Sequence, residues 1–381
     1  MVVSHTAHYL QNGQIVGWGP TVREIDELAA LFREVVHLAP LHLDGSPTGA
    51  IPYASSRVRL VPLRPAGGDR WREKLTLLSA APGYLQVLLR EVPRCDVVHV
   101  RCPAAVSLLA VILLVGLRRP RKRWIKYAGS WGGGDREPWS YALQRWILAR
   151  TAHRALVTVN GRWARQPPHV RSFRNPCLTD DEVAEGKRAA AGKLLTSPAR
   201  LLFVGRLAAG KGAGRVVEIL ELLAQKAVPV EADLVGDGPL RGELEARIRN
   251  LAGRVETRVH GSLPRSRIAS LYEKAHLLLL PSATEGWPKV LSEGMAYGVV
   301  PVASDVGSIP GTLRELGTGR SFDPLDVSSF AEAVTEYLRC PETWREESRR
   351  AVAAAGDFSY SRYLAEVAEL LGLTDEGRRS G

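Results

Sequence analysis

One stretch, residues 277–310, constrains the fold more than any other part of this chain. It reads LLLLPSATEGWPKVLSEGMAYGVVPVASDVGSIP, which is an apolar strand, a loop with Glu285, a helix with Glu293 and, after Gly298, a second apolar strand. A strand that leads through a helix into another apolar strand is typical of a parallel βαβ unit. Because open α/β sheets bind ligands at the carboxyl ends of their strands, Glu285 is expected at a ligand-binding edge.

The same alternation of short apolar runs and helical stretches extends over most of the chain, and it predicts an α/β fold. A helix is predicted over residues 21–32, and a buried helix over residues 104–117, a run too short to span a bilayer. Strands are predicted at residues 57–63, 97–101, 124–128, 156–160, 201–205, 232–236, 257–261, 277–281 and 299–304.

The length of 381 residues exceeds what one ordinary hydrophobic core supports, so two domains are expected. A polar, turn-rich segment around Asn175 is the predicted hinge. It gives an N-terminal domain over 1–176 and a C-terminal domain over 177–357, followed by an amphipathic helix over about 358–374. Residues from Asp375 onward are predicted to be disordered.

Positive charge is concentrated in the first half of the chain. Residues 1–180 hold 25 basic and 12 acidic residues, whereas residues 181–381 hold 26 and 28. The densest cluster, RRPRKR from Arg118 to Arg123, directly follows the apolar run. Basic surface beside apolar surface attracts anionic lipid, although a solvated loop explains the cluster equally well. Nucleic acid is not an expected partner, since the RNP pattern and zinc-finger spacings are both missing.

Cysteine usage and the N-terminus bear on the compartment. The four cysteines form no C-x-x-C pair, which favours free thiols in a reducing environment. The N-terminus has no basic start followed by an apolar run, the pattern of a signal peptide. We therefore predict a cytoplasmic protein, with the inner face of the membrane as a second option.

A glycine-rich segment at the start of the second half indicates a phosphate site. Residues 201–212, LLFVGRLAAGKG, nearly spell a Walker A loop, but Gly212 replaces the hydroxyl residue that would hold Mg²⁺. The remaining cations, Arg206 and Lys211, suit the diphosphate of a nucleotide-sugar. Taken alone, Lys211 is more easily explained as a solvated loop residue. A dinucleotide fingerprint at residues 236–241 fails at Arg241, which argues against a nicotinamide dehydrogenase.

Together these motifs resemble a known family. The strings P-S-x-x-E-G-x-x-x-V-L-x-E-x-M-A-x-G around Glu285 and Glu293, and G-R-L-x-x-x-K-G around Arg206 and Lys211, are similar to those of the retaining family-4 glycosyltransferases with their E-x7-E signature. The resemblance implies the GT-B fold, in which two Rossmann-like domains have parallel sheets that face each other across a cleft. It also implies transfer of a hexose from a nucleoside-diphosphate sugar to a saccharide or lipid-linked saccharide.

The resemblance further implies roles for single residues. Arg206, Lys211 and Glu285 are the predicted catalytic residues; the two cations neutralise the diphosphate, and Glu285 lies near the transferred sugar. Glu293 accepts hydrogen bonds from ribose. No metal or cofactor is expected, because the cations and the helix dipole can balance the leaving-group charge. The other donor-binding residues implied are Gly17 and Gly19 of the N-terminal Gly loop, Gly261, Leu263, Lys289, Val290 and Leu291.

The acceptor side departs from the family pattern. The strand that normally ends in a His-Asp pair here ends in Lys126-Tyr127 and runs into a Gly-rich loop with Trp131. Aromatic faces stack on sugars, although large core filling is the commoner use of Trp. We predict acceptor contacts at His8, Tyr127 and Trp131. His99, in the D-V-V-H strand, is more often a packed core histidine than a catalytic one.

Two rival functions stay open at this point. A sugar-nucleotide epimerase of the same fold would turn over donor without an acceptor. A catalytically silent module would only bind a sugar nucleotide or polysaccharide. The presence of Arg206, Lys211, Glu285 and Glu293 together argues against the silent module, which has no need for all four.

Overall fold

The computed structural model describes residues 1–43, 45–47, 49–67, 71–133, 137–163, 166–251 and 253–373. These residues form two compact units. Unit 1 comprises the described residues of Met1–Asn160, Ala164–Phe173 and Tyr363–Gly381, and unit 2 those of Gly161–Trp163 and Arg174–Arg362. The disorder predicted from Asp375 onward lies outside the described residues.

Unit 1 is built on one mixed sheet with helices between its strands. In chain order its elements are β1 (Val2–Val3), β2 (His8–Gln11), β3 (Gln14–Trp18), α1 (Gly19–Leu28), β4 (Val35–His42), β5 (Ala50–Pro52), β6 (Val58–Leu63), α2 (Trp71–Glu91), β7 (Val97–Cys102), α3 (Ala105–Gly116), β8 (Lys122–Tyr127), α4 (Trp139–Leu148), β9 (Leu156–Asn160) and β10 (Val170–Phe173).

The strand order in unit 1 is β10-β9-β8-β7-β1-β4-β2-β3-β5, with β6 also paired to β4. The strands from β10 to β4, together with β6, are parallel. Strand β2 also pairs parallel with β4, and β3 and β5 extend the sheet from β2 in antiparallel pairs. The chain proceeds from β1 through β4 to β6 in one direction and from β7 to β10 in the other. Strand order therefore reverses between β1 and β7.

Unit 2 contains a fully parallel sheet. Its elements are α5 (Asp180–Ala190), β11 (Ala199–Val204), α6 (Ala213–Gln225), β12 (Val230–Val235), α7 (Arg241–Arg249), β13 (Glu256–Gly261), α8 (Arg265–Lys274), β14 (Leu277–Leu280), α9 (Lys289–Ala296), β15 (Val300–Ser304), α10 (Ile309–Leu316), β16 (Arg320–Phe322), α11 (Val327–Arg339) and α12 (Pro341–Ala354). The last helix, α13 (Tyr360–Leu371), begins in unit 2 and lies in unit 1 from Tyr363 onward.

The strand order in unit 2 is β13-β12-β11-β14-β15-β16, so it reverses between β11 and β14. Both faces of the sheet are covered, which is why β14 reads as four consecutive leucines that are all buried. Burial of one such side chain contributes about 1.5–3 kcal/mol. A capping box of Thr179 and Glu182 begins α5, where each side chain bonds the other residue's backbone N–H.

The predicted α/β class with parallel sheets is confirmed, and all nine predicted strands are present with ends within two residues. The helix predicted over 21–32 ends earlier, since residues 29–31 form a 3₁₀ turn and Phe32 is extended. The buried helix predicted over 104–117 is present as α3 (Ala105–Gly116), but it is buried on one side only. Helix α3 packs on the sheet through residues such as Ala110 and Leu114, but Ile112 and Val115 are about half exposed, at 50% and 47%.

Candidate functional site

The loop after β11 carries the two cations predicted for the phosphate site. It is fixed to the end of β12, because Gly205 N donates to Val235 O at 3.0 Å and Leu207 N donates to Asp237 O at 3.0 Å. Arg206, between these two anchors, is exposed, and its guanidinium has no ion pair within the described residues. A cation held on a fixed backbone beside open solvent is suited to bind an anionic ligand.

Gly212 explains why this loop departs from a Walker A sequence. Its φ is +73°, and a Cβ atom at this position would lie 1.9 Å from the carbonyl oxygen of Pro281. A Ser or Thr there would meet both the left-handed backbone and this clash. The geometry of the β11 and β14 loops therefore excludes the hydroxyl that an ATPase of this type needs, as the sequence indicated.

Lys211 and Glu285 meet across the point where strand order reverses. Lys211 follows β11 and Glu285 follows β14, and Lys211 Nζ lies 2.6 Å from Glu285 Oε1. The Glu285 side chain is 10% exposed and that of Lys211 is 42% exposed. In open α/β sheets the reversal point is the usual ligand site, because the two loops there diverge and leave a crevice. Two of the predicted catalytic residues are thus in direct contact at the reversal point of the unit 2 sheet.

The loop that carries Glu285 is fastened on both sides. Ala283 N donates to Gly210 O at 2.9 Å, which joins the loop to the Lys211 segment. Ser308 N and Ser308 Oγ both donate to Gly286 O at 3.0 Å, which joins it to the start of α10. Trp287 is buried and stacks on Phe358 with ring centroids 5.3 Å apart. The position of the Glu285 backbone is therefore set by the packing of unit 2.

Glu293 is held by a cluster of polar side chains in the same unit. Arg265 NH1 donates to Glu293 Oε1 at 2.7 Å, and Tyr272 OH donates to Glu293 Oε2 at 3.3 Å. Arg265 also donates to both carboxylate oxygens of Glu182, at 2.6 and 3.1 Å, and to Cys177 O at 2.9 Å. This arrangement fixes the rotamer of Glu293 from one side.

Burial and neighbouring charges determine the protonation states of the groups in this cluster. Burial lowers the pKa of Arg265, but Glu293 and Glu182 outweigh it, so the pKa lies above its ordinary value. Burial, followed by the charge of Glu293, raises the pKa of the Cys177 thiol to about 12. Arg265 therefore remains a cation at neutral pH, and Cys177 remains a thiol rather than a nucleophilic thiolate.

The remaining predicted donor residues lie along the same edge of the sheet. Lys289 and Val290 are in the first turn of α9, the positive end of the helix dipole. The N–H of Leu291, in contrast, already donates to Pro288 O at 3.1 Å. Gly261 ends β13 with a φ of +69° and accepts from Gly236 N at 2.8 Å, and Leu263 packs partly against the core.

His8 lies in the core of unit 1, which contradicts its predicted contact with an acceptor. Its side chain is fully buried, with Nδ1 2.9 Å from Thr6 O and Nε2 2.8 Å from Tyr53 OH. Because a carbonyl oxygen only accepts, Nδ1 carries the proton and Nε2 accepts from the phenol. Tyr53 then accepts from His37 Nδ1 at 2.6 Å, and His37 Nε2 accepts from Ser4 Oγ at 2.7 Å. Both ring nitrogens of His8 are thus occupied within the protein.

The predicted Gly loop is a strand followed directly by a helix. Gly17 lies in β3 and is paired on one side with His8 and on the other with Ile51. A Cβ atom on Gly17 would be 2.7 Å from the ring of His8. The glycine therefore makes room for His8, and the approach of its backbone to phosphate stays a prediction. Gly19 is the first residue of α1, and its donor role remains a prediction.

Tyr127 and Trp131 are also packed inside unit 1. Tyr127 is 1% exposed and Trp131 is 8% exposed. Their rings pack edge to face, with the ring centroids 5.4 Å apart. The Tyr127 hydroxyl accepts from Arg145 NH1 at 3.1 Å, and Arg145 is also paired with Glu137. Neither aromatic face is open to a sugar, so the predicted acceptor contacts at these two residues do not fit.

His99 behaves as the packed histidine that its sequence context favoured. It stacks on Trp124 with ring centroids 3.7 Å apart, and Nδ1 lies 3.4 Å from Trp124 O. Nε2 is buried without a hydrogen-bond partner in the described part of the chain. Burial and then the charge of Arg101 hold the pKa of His99 well below its usual range. The ring is therefore neutral at physiological pH.

A buried ionic cluster in unit 1 was missed from the sequence. Glu24 of α1 is fully buried and accepts from Arg101 at 2.7 and 3.2 Å, from Lys126 at 2.8 Å and from Tyr363 OH at 3.1 Å. The available signal was a basic residue inside each of two largely buried strands, Arg101 in β7 and Lys126 in β8, although β8 also carries Lys122 and Arg123. Such residues need a buried counter-ion, because an unpaired charge is costly to bury.

Among the described residues, no group of three or more His, Cys, Asp or Glu side chains is arranged to hold a metal ion. None of the helices in this part of the chain has the length and apolar character needed to cross a bilayer.

Comparisons with known proteins agree with this geometry. Sucrose-phosphate synthase from Thermosynechococcus elongatus superposes with a TM-score of 0.71 at 19% identity, over 97% of both chains. Anabaena HepE in complex with UDP and glucose superposes with a TM-score of 0.62 at 18% identity, over 98% of this chain and 99% of that one. The fold is the GT-B fold.

Sequence relatives point to the same class of protein through unit 2. Residues 188–356 match the family model described as "Glycosyl transferases group 1". This segment includes Arg206, Lys211, Glu285 and Glu293. Glycogen synthase of Mycobacterium tuberculosis is 28% identical over 191 residues, which cover 50% of this chain and 46% of that protein. The chain thus spans less than half the length of this curated relative.

Proposed function

We propose that this GT-B protein is a retaining, metal-independent family-4 glycosyltransferase that moves a hexose from a nucleoside-diphosphate sugar to a hydroxyl of a saccharide or lipid-linked saccharide. The observation that carries the proposal is the 2.6 Å contact between Lys211 and Glu285 at the reversal point of the unit 2 sheet. A cation and a carboxylate at this position can address the two ends of a sugar nucleotide, the diphosphate and the transferred sugar.

The leaving diphosphate would be bound by Arg206, Lys211 and the positive end of α9. These groups act where negative charge grows as the glycosidic bond breaks, so they stabilise the transition state more than the bound donor. Lys211 then exchanges part of its contact with Glu285 for a phosphate oxygen. Glu285, relieved of its partner, accepts hydroxyl hydrogen bonds from the sugar. In same-face attack, a donor phosphate oxygen takes the proton of the acceptor hydroxyl.

Glu293 would recognise the ribose. A carboxylate offers about four lone-pair positions, and Arg265 and Tyr272 use one position on each oxygen. The remaining positions are suited to accept from two ribose hydroxyls. Support for a uridine nucleotide comes from Anabaena HepE, whose structure is in complex with UDP and glucose. UDP-glucose is therefore the first donor to test.

For the cellular site we propose the cytoplasm at the inner face of the membrane. The support is the cysteine usage and the basic first half, which suits an anionic acceptor or a lipid-linked one at a charged surface.

The experiment incubates the purified chain with UDP-, GDP- and ADP-sugars and measures thermal shift and release of nucleoside diphosphate. A ligand at 100 times its dissociation constant stabilises the folded state by about 2.7 kcal/mol. We expect one donor to give a shift that Lys211→Ala and Glu293→Ala both lose. Lys274→Ala, at an exposed lysine of α8 in the same unit, is the matched control and should keep the shift.

The outcomes separate the rival functions. Acceptor-dependent transfer with retained anomeric configuration supports the proposal. Turnover of donor without any acceptor, to a product epimeric at the sugar, identifies an epimerase. Donor binding without turnover for any acceptor identifies a silent binding module, and no binding at all contradicts the proposed site.

A further inference from the structure

Exposed apolar side chains are concentrated in unit 1. Of twelve large apolar residues exposed within the described part of the chain, ten belong to this unit. Seven of the ten lie on three successive helices, α2, α3 and α4. Scattered exposed leucines need no explanation, but a contiguous apolar surface marks an interaction site.

On α2 the exposed apolar residues form one stripe. Leu78, Pro82, Leu85 and Leu89 follow each other at spacings of four, three and four residues, and all are exposed. Residues at these spacings lie on the same side of a helix. Leu78 alone is 74% exposed. The buried side of the same helix is formed by Ala80, Tyr84 and Leu88, so α2 is apolar both toward the sheet and toward solvent.

Helices α3 and α4 present similar surfaces. Ile112 and Val115 are three residues apart on the outer side of α3. On α4, Trp139 and Trp146 are seven residues apart and 76% and 56% exposed. The guanidinium of Arg150 lies over the Trp146 ring at 3.6 Å, so this side chain combines an apolar ring with a cation.

The three helices cover one face of the sheet. They connect β6 to β7, β7 to β8 and β8 to β9, which all advance across the sheet in one direction. Parallel crossovers are right-handed, so these connections lie on the same side. In agreement, α2 packs beside α3 and α3 packs beside α4. Their outer apolar stripes therefore form one surface, which we call the α2–α4 face.

Basic residues are grouped at one end of this face. All three helices run antiparallel to the strands, so their C-termini lie at the same end of the sheet. Exposed arginines lie in the last turn of each helix or shortly after it: Arg90 and Arg94 at α2, Arg118, Arg119 and Arg121 at α3, and Arg150 and Arg154 at α4. Lys122, which donates to Gly372 O, adds a further exposed cation.

Arg123 is the exception within the predicted basic cluster. It is 3% exposed and donates to the carbonyl oxygens of Pro120, Leu114, His153 and Leu117. It therefore closes the C-terminus of α3 and does not contribute to the surface. The cluster from Arg118 to Arg123 is thus only part of a wider arrangement that includes the ends of α2 and α4.

We propose that the α2–α4 face docks on the surface of an anionic lipid bilayer. Helix α3 has 12 residues, about 18 Å of helix, so the helices would lie along the surface and not cross it. Leu, Ile and Trp side chains then enter the boundary between headgroups and acyl chains, while the arginines meet the lipid phosphates. Apolar insertion and basic charge together provide the two signals that stable peripheral binding requires.

Charge selects the bilayer over a second copy of the chain. In a two-fold dimer through this face, a positively charged surface would meet the same positively charged surface. An anionic leaflet offers the opposite sign over a wide area. The proposal extends the lipid-linked acceptor class of the proposed function, but it is measured without donor or acceptor. A failure of glycosyl transfer therefore does not contradict membrane docking, and a failure of vesicle binding does not contradict glycosyl transfer.

The test is co-sedimentation of the full chain with vesicles of phosphatidylcholine alone or with about one third phosphatidylserine. We expect binding to the anionic vesicles only, decreasing as salt is raised. The combined variant R118Q, R119Q and R121Q should lower the partition coefficient about a hundredfold, because each basic residue near the surface contributes about fivefold. The combined variant L85Q and I112Q should lower it on the order of tenfold, with the salt dependence retained.

Matched controls lie on unit 2. Leu325→Gln changes a leucine that is 77% exposed, and the combined variant R339Q and R349Q removes two exposed arginines. Both should bind vesicles as the parent chain does. Equal loss in the controls would overturn the α2–α4 face as the docking surface. Two other results would also overturn the proposal: equal binding to neutral vesicles, or no vesicle binding together with a concentration-dependent dimer that L85Q and I112Q abolish.

Discussion

The two units use charge in opposite ways at corresponding places in their sheets. In unit 2, Lys211 and Glu285 pair at the reversal point with the lysine 42% exposed. In unit 1, Arg101 and Lys126 lie near the ends of β7 and β8 on one side of the reversal point, but their partner Glu24 has no exposed surface. An exposed pair can exchange a partner for a ligand at small cost, whereas a buried cluster is locked. Burial, more than the presence of charge, therefore separates a candidate site from a structural cluster.

Removal of one carboxylate from each unit should affect the two clusters very differently. Glu24→Gln leaves Arg101 and Lys126 without their buried counter-ion, and we expect a loss of about 3–5 kcal/mol in the free energy of unfolding. Glu285→Gln affects a pair with one exposed partner, so its loss should stay within about 1 kcal/mol. Chemical denaturation of both variants measures the two values. Equal losses would show that burial does not distinguish the clusters.

The same contrast shows what the sequence could predict. Arg206, Lys211, Glu285 and Glu293 were predicted from motifs that resemble those of a known family. The same motifs lie in or just after βα loops, and parallel topology alone brings such loops to one edge. The Lys211–Glu285 contact then follows from the two strands that flank the reversal point, because the segments that carry the two residues are short and have fixed geometry.

In unit 1 local sequence was not sufficient. Tyr127 is buried because Arg145 and Trp131 pack on it, and His8 because Tyr53 reaches it from 45 residues away. Glu24 is bonded by Tyr363, which is 339 residues distant. Glu24 is one of three carboxylates on α1, and from the sequence it looks like a solvent-facing side chain. Only the long-range partners, which no local pattern encodes, decide that these groups are interior.

Acidification should destabilise both units through their buried histidines. In unit 2, His276 Nδ1 accepts from Arg200 N at 2.9 Å, and burial, then the charges of Lys193 and Arg200, lower the pKa of His276 to about 4. In the unfolded chain the ring takes a proton near pH 6.5, whereas in the folded chain it stays neutral until the pH falls to about 4. Stability is therefore present above pH 6.5 and falls as the pH drops toward 4, by up to about 3 kcal/mol.

His276→Asn isolates this contribution. The amide oxygen of Asn can accept from Arg200 N, and it does not titrate. We expect the variant to lose less stability than the parent chain between pH 6.5 and 4.5, whatever its stability at pH 7. The remaining slope would come from unit 1, where burial also holds the pKa values of His37 and His99 well below 6.5. An unchanged slope would mean that His276 does not control the acid response.

Arg265 tests whether the unit 2 site is organised by its surroundings. If Arg265 orients Glu293 for ribose, Arg265→Gln should weaken donor binding about tenfold, because a mobile carboxylate must be ordered again on binding. With a working acceptor, KM for the donor should rise while kcat changes little, since the diphosphate contacts remain. Arg267→Gln, two residues along the same helix and exposed, is the matched control.

The direction of the Arg265 effect is informative. Titration calorimetry with the donor found in the thermal-shift panel gives the dissociation constant directly. Tighter binding in Arg265→Gln would mean that the guanidinium competes with ribose for Glu293. Arg265 would then be an obstacle to the ligand, and the unit 2 cluster would resemble the locked cluster of unit 1.

The smallest expected effect concerns two glycines of unit 2. At Gly294, inside α9, a Cβ atom would meet side chains of Tyr272, Leu278 and Val299 at 3.4–3.5 Å, which is ordinary van der Waals contact. Gly294→Ala should therefore stabilise the fold by about 0.5–1 kcal/mol through reduced freedom of the unfolded chain. Gly212→Ala should destabilise it instead, because its Cβ would lie 1.9 Å from Pro281 O. Thermal denaturation of both variants separates a glycine that the β11 and β14 loops require from one that the helix merely tolerates. If Gly294→Ala destabilised the fold instead, Gly294 would be required by its surroundings as Gly212 is. The backbone of α9 would then be as tightly fixed as the loop that positions Lys211.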